Sequence, residues 1–209
     1  MNIELIAHTP DPETTIANIA TTCYDSKPKD LDGSQKMIKA LIKAGHEAMI
    51  EHAHATFKLI GVSRALTHEA CRHRLFSFAQ RSQRYVKENQ PSYVTPDVLV
   101  GDCAMQDGKL SEAKIVFETA MQNAWNAYAK LLELGLKPED ARFVLPNACT
   151  TEIVMSGNFR EWRNFLKLRL GPRAQWEIRK AANIILDKLY EIAPSCFEDL
   201  KNGNAIQQT

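Results

Sequence analysis

Residues 72–85 read RHRLFSFAQRSQRY, and no Asp or Glu lies between Ala70 and Lys87. The basic residues of this stretch are interleaved with hydroxyl, amide and aromatic side chains. Guanidinium groups bind phosphate through paired hydrogen bonds, and aromatic rings can cover a base. The composition therefore favours a binding site for a phosphorylated heterocycle. The spacing leaves an alternative open, a solvated basic loop in which Arg72 pairs with Glu69 three residues earlier.

A helix is predicted immediately before this stretch, from a cap at Ser63 to about His73. Leu66, Ala70 and His73 lie on one stripe of that helix, which turns the histidine toward the apolar side. The arginines on either side of the histidine then point away from it, so that one short segment can reach more than one ligand. From residue 74 to residue 94 the apolar residues follow neither the helical nor the strand period, and we interpret this part as an ordered functional loop.

Outward from the stretch, apolar spacing predicts the other elements. Helices are expected after Pro12, over Ser34–Ala44, Glu112–Leu134 and Pro138–Val144, from Asn158 to the residues before Gly171, and over Ala174–Ile192. Strands are expected at Ile3–Ala7, His52–Val62 and Thr150–Met155. Ser34 is the predicted cap of the second helix, and Gly45 ends it. The apolar face of the long helix comprises Ile115, Val116, Ala120, Trp125, Tyr128, Leu131 and Leu132.

These elements predict a helix-rich α+β fold with a small, largely antiparallel sheet, because the strands do not alternate regularly with the helices. A chain of 209 residues is long enough for one sizeable core. We therefore expect a single domain over residues 1–209, with a polar tail from about 200 to 209. A formal charge of +1 gives no overall attraction for nucleic acid or membrane, so anion binding has to come from local clusters.

The five cysteines are odd in number, lie far apart and form no C-x-x-C pair, which predicts neither a disulfide framework nor a zinc site. We expect no bound metal and a reducing, cytoplasmic environment. The N-terminus has no basic segment followed by a long apolar run, and no 18 consecutive residues are apolar. Export or membrane anchoring is therefore not expected.

The arrangement Arg72-His73-Arg74, seven residues, Ser82 and Arg84-Tyr85 resembles the signature of the flavin-dependent thymidylate synthases. Ser77 also falls at the offset that this family has. Supporting similarity lies on both sides, in residues 45–57, ARFVLP at 141–146, NFLKLR at 164–169 and AQWEI at 174–178. The resemblance covers nearly the whole chain.

This resemblance implies a homotetramer in which FAD and deoxyuridine monophosphate (dUMP) occupy sites built between subunits. It assigns to FAD the residues Arg72, His73, Arg74, Gln80, Asn158, Arg160 and Asn164. It assigns to dUMP the residues Glu69, Arg72, Gln80, Ser82, Arg84, Arg142 and Arg169. Arg169 is also the predicted catalytic residue, since the family uses that position to favour ionisation of the uracil.

The sequence departs from the pattern of the family in two places. Glu69 stands where many relatives have Gln, and Ala79-Gln80 replaces a common Asn-Glu pair. A carboxylate beside a nucleotide phosphate is repulsive, so Glu69 is expected to pair with Arg72 or to accept a hydrogen bond from the sugar or base of the ligand. Gln80 can still donate and accept hydrogen bonds, which preserves recognition better than acid/base chemistry.

The residues of the second half also have interpretations of their own. Arg160 and Asn164 are four residues apart and share a helix face. Asn158 enters the helix, and the alternative to a flavin contact is that it is only the helix cap. Arg169 projects from a face that is otherwise apolar, so it needs a partner. A ligand anion can be that partner, and the alternative is the C-terminal dipole of the helix.

The resemblance implies reductive methylation of dUMP to dTMP, with 5,10-methylenetetrahydrofolate as carbon donor, NADPH as reductant through FAD, and no protein nucleophile. A single-stranded RNA-binding module, in which Phe76, Phe78 and Tyr85 stack bases, is the alternative from another class. The near-neutral charge counts against it. A flavin-free thymidylate synthase would need a nucleophile such as Cys149, but no Cys-His pair is evident, and a small core residue is expected there.

Overall fold

The computed structural model describes residues 1–23, 30–100 and 108–207. Four strands, β1 (Asn2–His8), β2 (His54–Ser63), β3 (Ser77–Gln80) and β4 (Thr150–Asn158), form one sheet in the order β1-β2-β4-β3. β1 and β2 pair antiparallel, with Asn2 opposite Ile60 and His8 opposite Ala55. The register shifts between Leu5 and Ala7.

The helices are α1 (Pro12–Ala20), α2 (Leu31–Lys43), α3 (Arg64–Ala70), α4 (Gly108–Glu133), α5 (Pro138–Ala141), α6 (Phe159–Arg169), α7 (Trp176–Ile192) and α8 (Pro194–Gln207). Short 3-10 turns lie at Glu47–His52, Asp97–Leu99 and Arg142–Val144. The predicted helix-rich α+β fold with a small antiparallel sheet is thereby confirmed. Within the described ranges, every helix is too short or too polar to cross a membrane.

The chain divides into two compact units, and both contain residues of the predicted site. The first unit comprises Met1–Ile60, Glu69–Ala79 and Ile153–Thr209, and the second comprises Gly61–His68 and Gln80–Glu152. In the first unit Trp162 is fully buried, and its indole N–H donates to the carbonyl of Ala55 at 3.0 Å. In the second unit Trp125 and Tyr128 of α4 are buried. That residues 1–209 act as a single domain stays a prediction.

β4 shows why a glycine stands near its end. Its side chains alternate between buried and half-buried positions, as expected for a strand with one face against a core. Gly157 falls on the buried face, where a Cβ atom would lie only 2.7 and 2.8 Å from two carbons of the Phe76 ring. The aromatic ring therefore occupies the space that any side chain at position 157 would need.

The start of α2 differs from the prediction. Asp30, not Ser34, is the cap, because its carboxylate accepts a hydrogen bond from the backbone N–H of Gly33 at 2.8 Å. Ser34 lies inside the helix, where it is buried and donates to the carbonyl of Asp30. The predicted end is confirmed, since Gly45 has φ +79° and follows the last turn.

Several other boundaries differ from the prediction. α3 ends at Ala70 rather than near residue 73, and the interpreted loop contains β3. β2 begins at His54, because the residues before it form a 3-10 turn. α7 is followed by α8, so that described residues of the predicted polar tail are helical up to Gln207.

α8 was not predicted, although it begins at Pro194, a residue type that is common at the first position of a helix. The carboxylate of Glu13 accepts a hydrogen bond from the backbone N–H of Ser195 at 2.6 Å. One of the N–H groups left free at a helix start is thereby satisfied by a residue 182 positions away. The predicted apolar face of α4 is also only partly correct. Trp125 and Tyr128 are buried, whereas Ile115 and Val116 are 65% and 63% exposed.

Candidate functional site

The first unit brings three predicted residues together at the ends of two helices. Glu69 is the penultimate residue of α3, His73 follows that helix in a turn, and Arg169 is the last residue of α6. Arg169 Nη1 donates to the Glu69 carboxylate at 2.9 Å, and Nη2 donates to the Glu69 carbonyl at 3.4 Å. Its Nε donates to His73 Nε2 at 3.0 Å. The predicted pairing of Glu69 is therefore found, but its partner is Arg169 instead of Arg72.

His73 accepts that hydrogen bond as a neutral ring. It is 8% exposed and packs edge-on against Phe165, with ring centroids 4.9 Å apart. Burial, with a smaller contribution from the charge of Arg169, lowers the pKa of His73 from 6.5 to about 4. At neutral pH Nε2 is therefore free of a proton and can accept from Arg169. The prediction that His73 turns toward the apolar side is confirmed, although α3 ends before it.

The start of α6 carries the predicted flavin residues of the second half. Asn158 caps this helix: its side-chain oxygen accepts from the N–H of Glu161 at 2.9 Å, while the Glu161 carboxylate accepts from the N–H of Asn158. The alternative role as a helix cap is thus present. Asn158, Arg160 and Asn164 also line one pocket of about 490 Å³. The structure therefore brings these three residues together, as predicted from their spacing.

The wall of this pocket also contains acidic residues that the sequence analysis missed. Arg160 donates to the Glu51 carboxylate at 2.5 Å, and Lys167 donates to Glu47 at 3.1 Å. Arg163, which is fully buried, also contacts Glu47. Glu51 is 109 positions from Arg160, so no local spacing could have indicated the pair.

The second unit brings two predicted nucleotide residues to one glutamate. Arg84 donates through Nε and Nη2 to the Glu139 carboxylate, each at 3.1 Å, and Arg142 Nε donates to the Glu139 carbonyl at 3.1 Å. Ser82 accepts from the backbone N–H of Arg84 at 3.2 Å. Glu139 was missed. Its position at the start of α5, three residues before Arg142, is the signal that could have found it.

The remaining predicted residues lie in two settings. Gln80, in the second unit, donates through its amide nitrogen to the hydroxyls of Thr67 and Thr151, at 3.1 and 3.4 Å. Arg72 and Arg74, in the first unit, are exposed between α3 and β3. Gln80 is therefore held by the protein, whereas these two arginines stand in solvent, as expected for residues that diverge from a buried histidine.

The chemistry of the pocket at the start of α6 fits a flavin. It offers amide and guanidinium donors for a polar ring system or for phosphates, and Leu75, which is 74% exposed, offers an apolar surface. Its volume is within the usual range for small-molecule sites. The acidic residues Glu47, Glu51 and Glu161 each accept hydrogen bonds from protein donors. Among the described residues no group of three or more His, Cys, Asp or Glu could hold a metal ion.

Comparisons with known proteins agree with the signature. Residues 4–195 match the family model described as thymidylate synthase complementing protein. A flavin-dependent thymidylate synthase of Clostridium tetani is 37% identical, over 98% of this chain and 90% of the relative. A second flavin-dependent thymidylate synthase, of Geobacter sulfurreducens, is 40% identical over 97% of this chain and 88% of the relative.

A solved structure has the same fold. It is the UMP/dUMP methylase PolB from Streptomyces cacaoi, bound with 5-Br dUMP, and it superimposes with a TM-score of 0.82 over 96% of this chain and 94% of that one. The two sequences are 21% identical. This likeness is therefore one of fold.

Proposed function

Because the chain belongs to the family of thymidylate synthase complementing proteins, the flavin-dependent thymidylate synthases, we propose that it converts dUMP to dTMP. The carbon donor is 5,10-methylenetetrahydrofolate, and NADPH is the reductant through FAD. The dUMP analogue in the solved neighbour supports the choice of nucleotide. The proposed setting is a reducing cytoplasm.

The observation that carries this proposal is the setting of Arg169. A guanidinium has five N–H donors, and three of them are used by Glu69 and His73. Within the described part of the chain, two donors are left for a ligand. A cation held in a fixed orientation in a partly enclosed site stabilises negative charge well, because it does not reorganise when the charge develops. Arg169 is therefore the residue that favours ionisation of the uracil.

FAD, when bound, supplies the transfer of reducing equivalents from NADPH to the nucleotide. The residues that would hold it are Arg72, His73, Arg74, Gln80, Asn158, Arg160 and Asn164. Asn158 uses its side-chain oxygen for the helix cap, so its amide N–H₂ group would be the part that serves FAD. Orientation of the flavin against the base is the main task of this group.

The nucleotide phosphate and sugar are held by Ser82, Arg84, Arg142 and Arg72. In the free protein the Glu139 carboxylate accepts hydrogen bonds from Arg84, and the Glu139 carbonyl accepts one from Arg142. A phosphate offers the same kind of planar, bidentate contact to Arg84. Binding therefore exchanges a carboxylate partner for a phosphate partner.

The reaction needs no protein nucleophile. Cys149 is buried, and burial, as the main cause, raises the pKa of its thiol to about 11. Such a thiol stays protonated at neutral pH, and the thiol form is a poor nucleophile. These properties support the prediction of a core residue at position 149 and count against a flavin-free mechanism.

We propose that the protein acts as a homotetramer with sites shared between subunits. The exposed Ile115 and Val116 of α4 are neighbouring apolar side chains, and exposed apolar patches are typical of association surfaces. A mixture of Arg169→Ala and Arg84→Ala proteins tests sharing. Recovered activity in mixed assemblies is expected, and the absence of recovery in assemblies shown to be mixed would count against shared sites.

The test of the function is a reconstitution with omissions. The purified protein should bind FAD, seen as yellow flavin absorbance, and should form dTMP only with dUMP, methylenetetrahydrofolate and NADPH all present. Cys149→Ala should keep this activity. A colourless protein that takes up no FAD and binds single-stranded oligonucleotides would favour the RNA-binding alternative. Activity that needs Cys149 and no FAD would favour the flavin-free enzyme.

A further inference from the structure

We propose that Glu69 is a positioning residue for Arg169 and that its charge sets how strongly the site attracts the ionised uracil. This inference rests on the proposed function. It concerns a residue that departs from the usual Gln of the family, and it starts from a contact that the sequence did not indicate. Glu69 and Arg169 are 100 positions apart and meet at 2.9 Å.

The geometry fixes the guanidinium at three of its nitrogen atoms. Nη1 is held by the Glu69 carboxylate, Nη2 by the Glu69 carbonyl and Nε by His73 Nε2. Three contacts on a planar group define its plane and its rotation. Glu69 supplies two of the three, one from its side chain and one from its backbone. Replacing the side chain therefore removes one anchor and leaves the other two.

The charges make Glu69 the deciding member of the cluster. His73 is neutral at physiological pH because burial lowers its pKa to about 4. The net charge at this point is thus the sum of one guanidinium and one carboxylate, and it is close to zero. The side chains of Arg169 and Glu69 are 20% and 34% exposed, so solvent screens the pair only in part. A Gln at position 69 would retain an acceptor oxygen and remove the negative charge.

A uracil that loses its N3 proton becomes an anion, and a carboxylate nearby disfavours that form. Glu69→Gln should therefore strengthen binding of the ionised base while Arg169 stays anchored. Glu69→Asp should leave binding of the ionised base unchanged and disturb the anchoring of Arg169. Asp keeps the negative charge at position 69, but its shorter side chain cannot keep the 2.9 Å contact with Arg169. The orientation of Arg169 is therefore disturbed, whereas the charge of the site is unchanged.

The experiment measures binding of dUMP and 5-fluoro-dUMP to the FAD-loaded protein between pH 6 and 9. The fluorine makes N3 of the analogue more acidic, so its anion is sampled within this range. Glu69→Gln is expected to bind the analogue about tenfold more tightly and to shift the binding profile to lower pH by about one unit. Glu69→Asp is expected to keep the wild-type profile and to lose about tenfold in kcat.

The outcomes separate this inference from the proposed function. A wild-type protein that binds neither FAD nor dUMP contradicts the proposed function, and this inference falls with it. If the wild type binds and turns over dUMP, a Glu69→Gln protein with the wild-type pH profile overturns the inference alone. A shifted profile in Glu69→Asp also overturns it. A purely structural role would lower the unfolding temperature of both variants and leave both profiles unchanged.

Discussion

Arg169 in the first unit and Arg84 in the second unit are both predicted to bind the nucleotide, and both contact a glutamate. The pairs differ in enclosure. The side chain of Arg169 is 20% exposed, whereas that of Arg84 is 51% exposed. The side chains of their glutamate partners are similarly exposed, at 34% and 35%. Arg169 also has a neutral histidine as a second partner, while Arg84 lies over the exposed ring of Tyr85 at 5.3 Å.

The difference in exposure indicates different roles for the two arginines. A partly enclosed cation with three contacts keeps its orientation, which suits the stabilisation of a developing charge. An exposed cation with one carboxylate partner gains little from that partner and exchanges it readily. Such a group suits a phosphate that arrives and leaves with the substrate. Four predictions test this contrast, in order of decreasing expected effect.

Removal of Arg169 tests the enclosed pair directly. Arg169→Ala is expected to lower dTMP turnover by a factor of about 10³, because a preorganised charge at the reacting base is lost. Bound FAD and the unfolding temperature should change little. Arg173→Ala, at an exposed arginine in the loop after α6, is the matched control and should keep at least about half of the activity. Turnover unchanged in Arg169→Ala would remove this residue from the mechanism.

His73, which accepts a hydrogen bond from Arg169, predicts that the stability of the protein depends on pH. The folded-state pKa of His73 is about 4 and the unfolded value is 6.5, so the unfolded chain binds a proton more readily between these values. The stability of the native state therefore falls as pH drops from 6.5 toward 4. Between pH 7 and pH 5 the loss is about 2 kcal/mol.

Denaturant unfolding at both pH values measures this loss. His73→Gln should lose about 2 kcal/mol less than the wild type over the same interval, because no imidazole remains to titrate. His8→Gln, at an exposed histidine of β1, should keep the wild-type dependence. Equal losses in wild type and His73→Gln would contradict the buried, neutral state of His73.

The capping box of α6, the helix that ends at Arg169, is expected to contribute to stability and to FAD binding. Asn158→Ala removes one half of the capping box and should lower the free energy of unfolding by about 1 kcal/mol. Asn158→Asp retains a capping oxygen and should restore most of it. If Asn158 also contacts FAD through its amide, both variants should bind FAD more weakly. A loss of FAD affinity in the Ala variant alone would assign the effect to the cap.

The exposed pair should give the smallest effect. Glu139→Gln is expected to change the free energy of unfolding by less than about 0.5 kcal/mol, because exposed ion pairs contribute little. Binding of dUMP should tighten by about two- to threefold, since Arg84 no longer has a charged partner to leave. Calorimetric titration measures the affinity. A destabilisation of 2 kcal/mol or more would show that the two pairs do not differ as described.

Features whose cause is local in sequence were predicted well. Ser63 caps α3, with its hydroxyl oxygen accepting from the N–H of Leu66 at 3.0 Å. Asn158 begins α6, and Gly45 follows α2. His73 was predicted to be buried from a helical stripe through Ala70, and it is buried, although it lies in the turn after the helix. Caps, stops and faces depend on neighbours within one or two turns, and the sequence contains those neighbours.

Features that depend on distant residues were missed. The start of α8 relies on Glu13, and the acidic partners Glu51 and Glu69 lie 100 or more positions from Arg160 and Arg169. β3 has only four residues, too few for a period to be recognised in a basic segment. At Asp30 and Ser34 two residues that favour caps stand four apart, and the sequence offered no means of choosing between them.

The close approach of Phe76 to Gly157 has a consequence for how this protein can vary. A methyl group at position 157 would have to displace the ring, because Cβ atoms do not approach carbon to 2.7 Å. The Phe76 ring packs against the Trp162 ring and meets the His73 ring edge-on, with centroid distances of 4.5 and 6.3 Å. His73 in turn accepts a hydrogen bond from Arg169. In a library of all single substitutions, position 157 should therefore tolerate glycine alone, and a random mutation there would be selected against as strongly as one in the site itself.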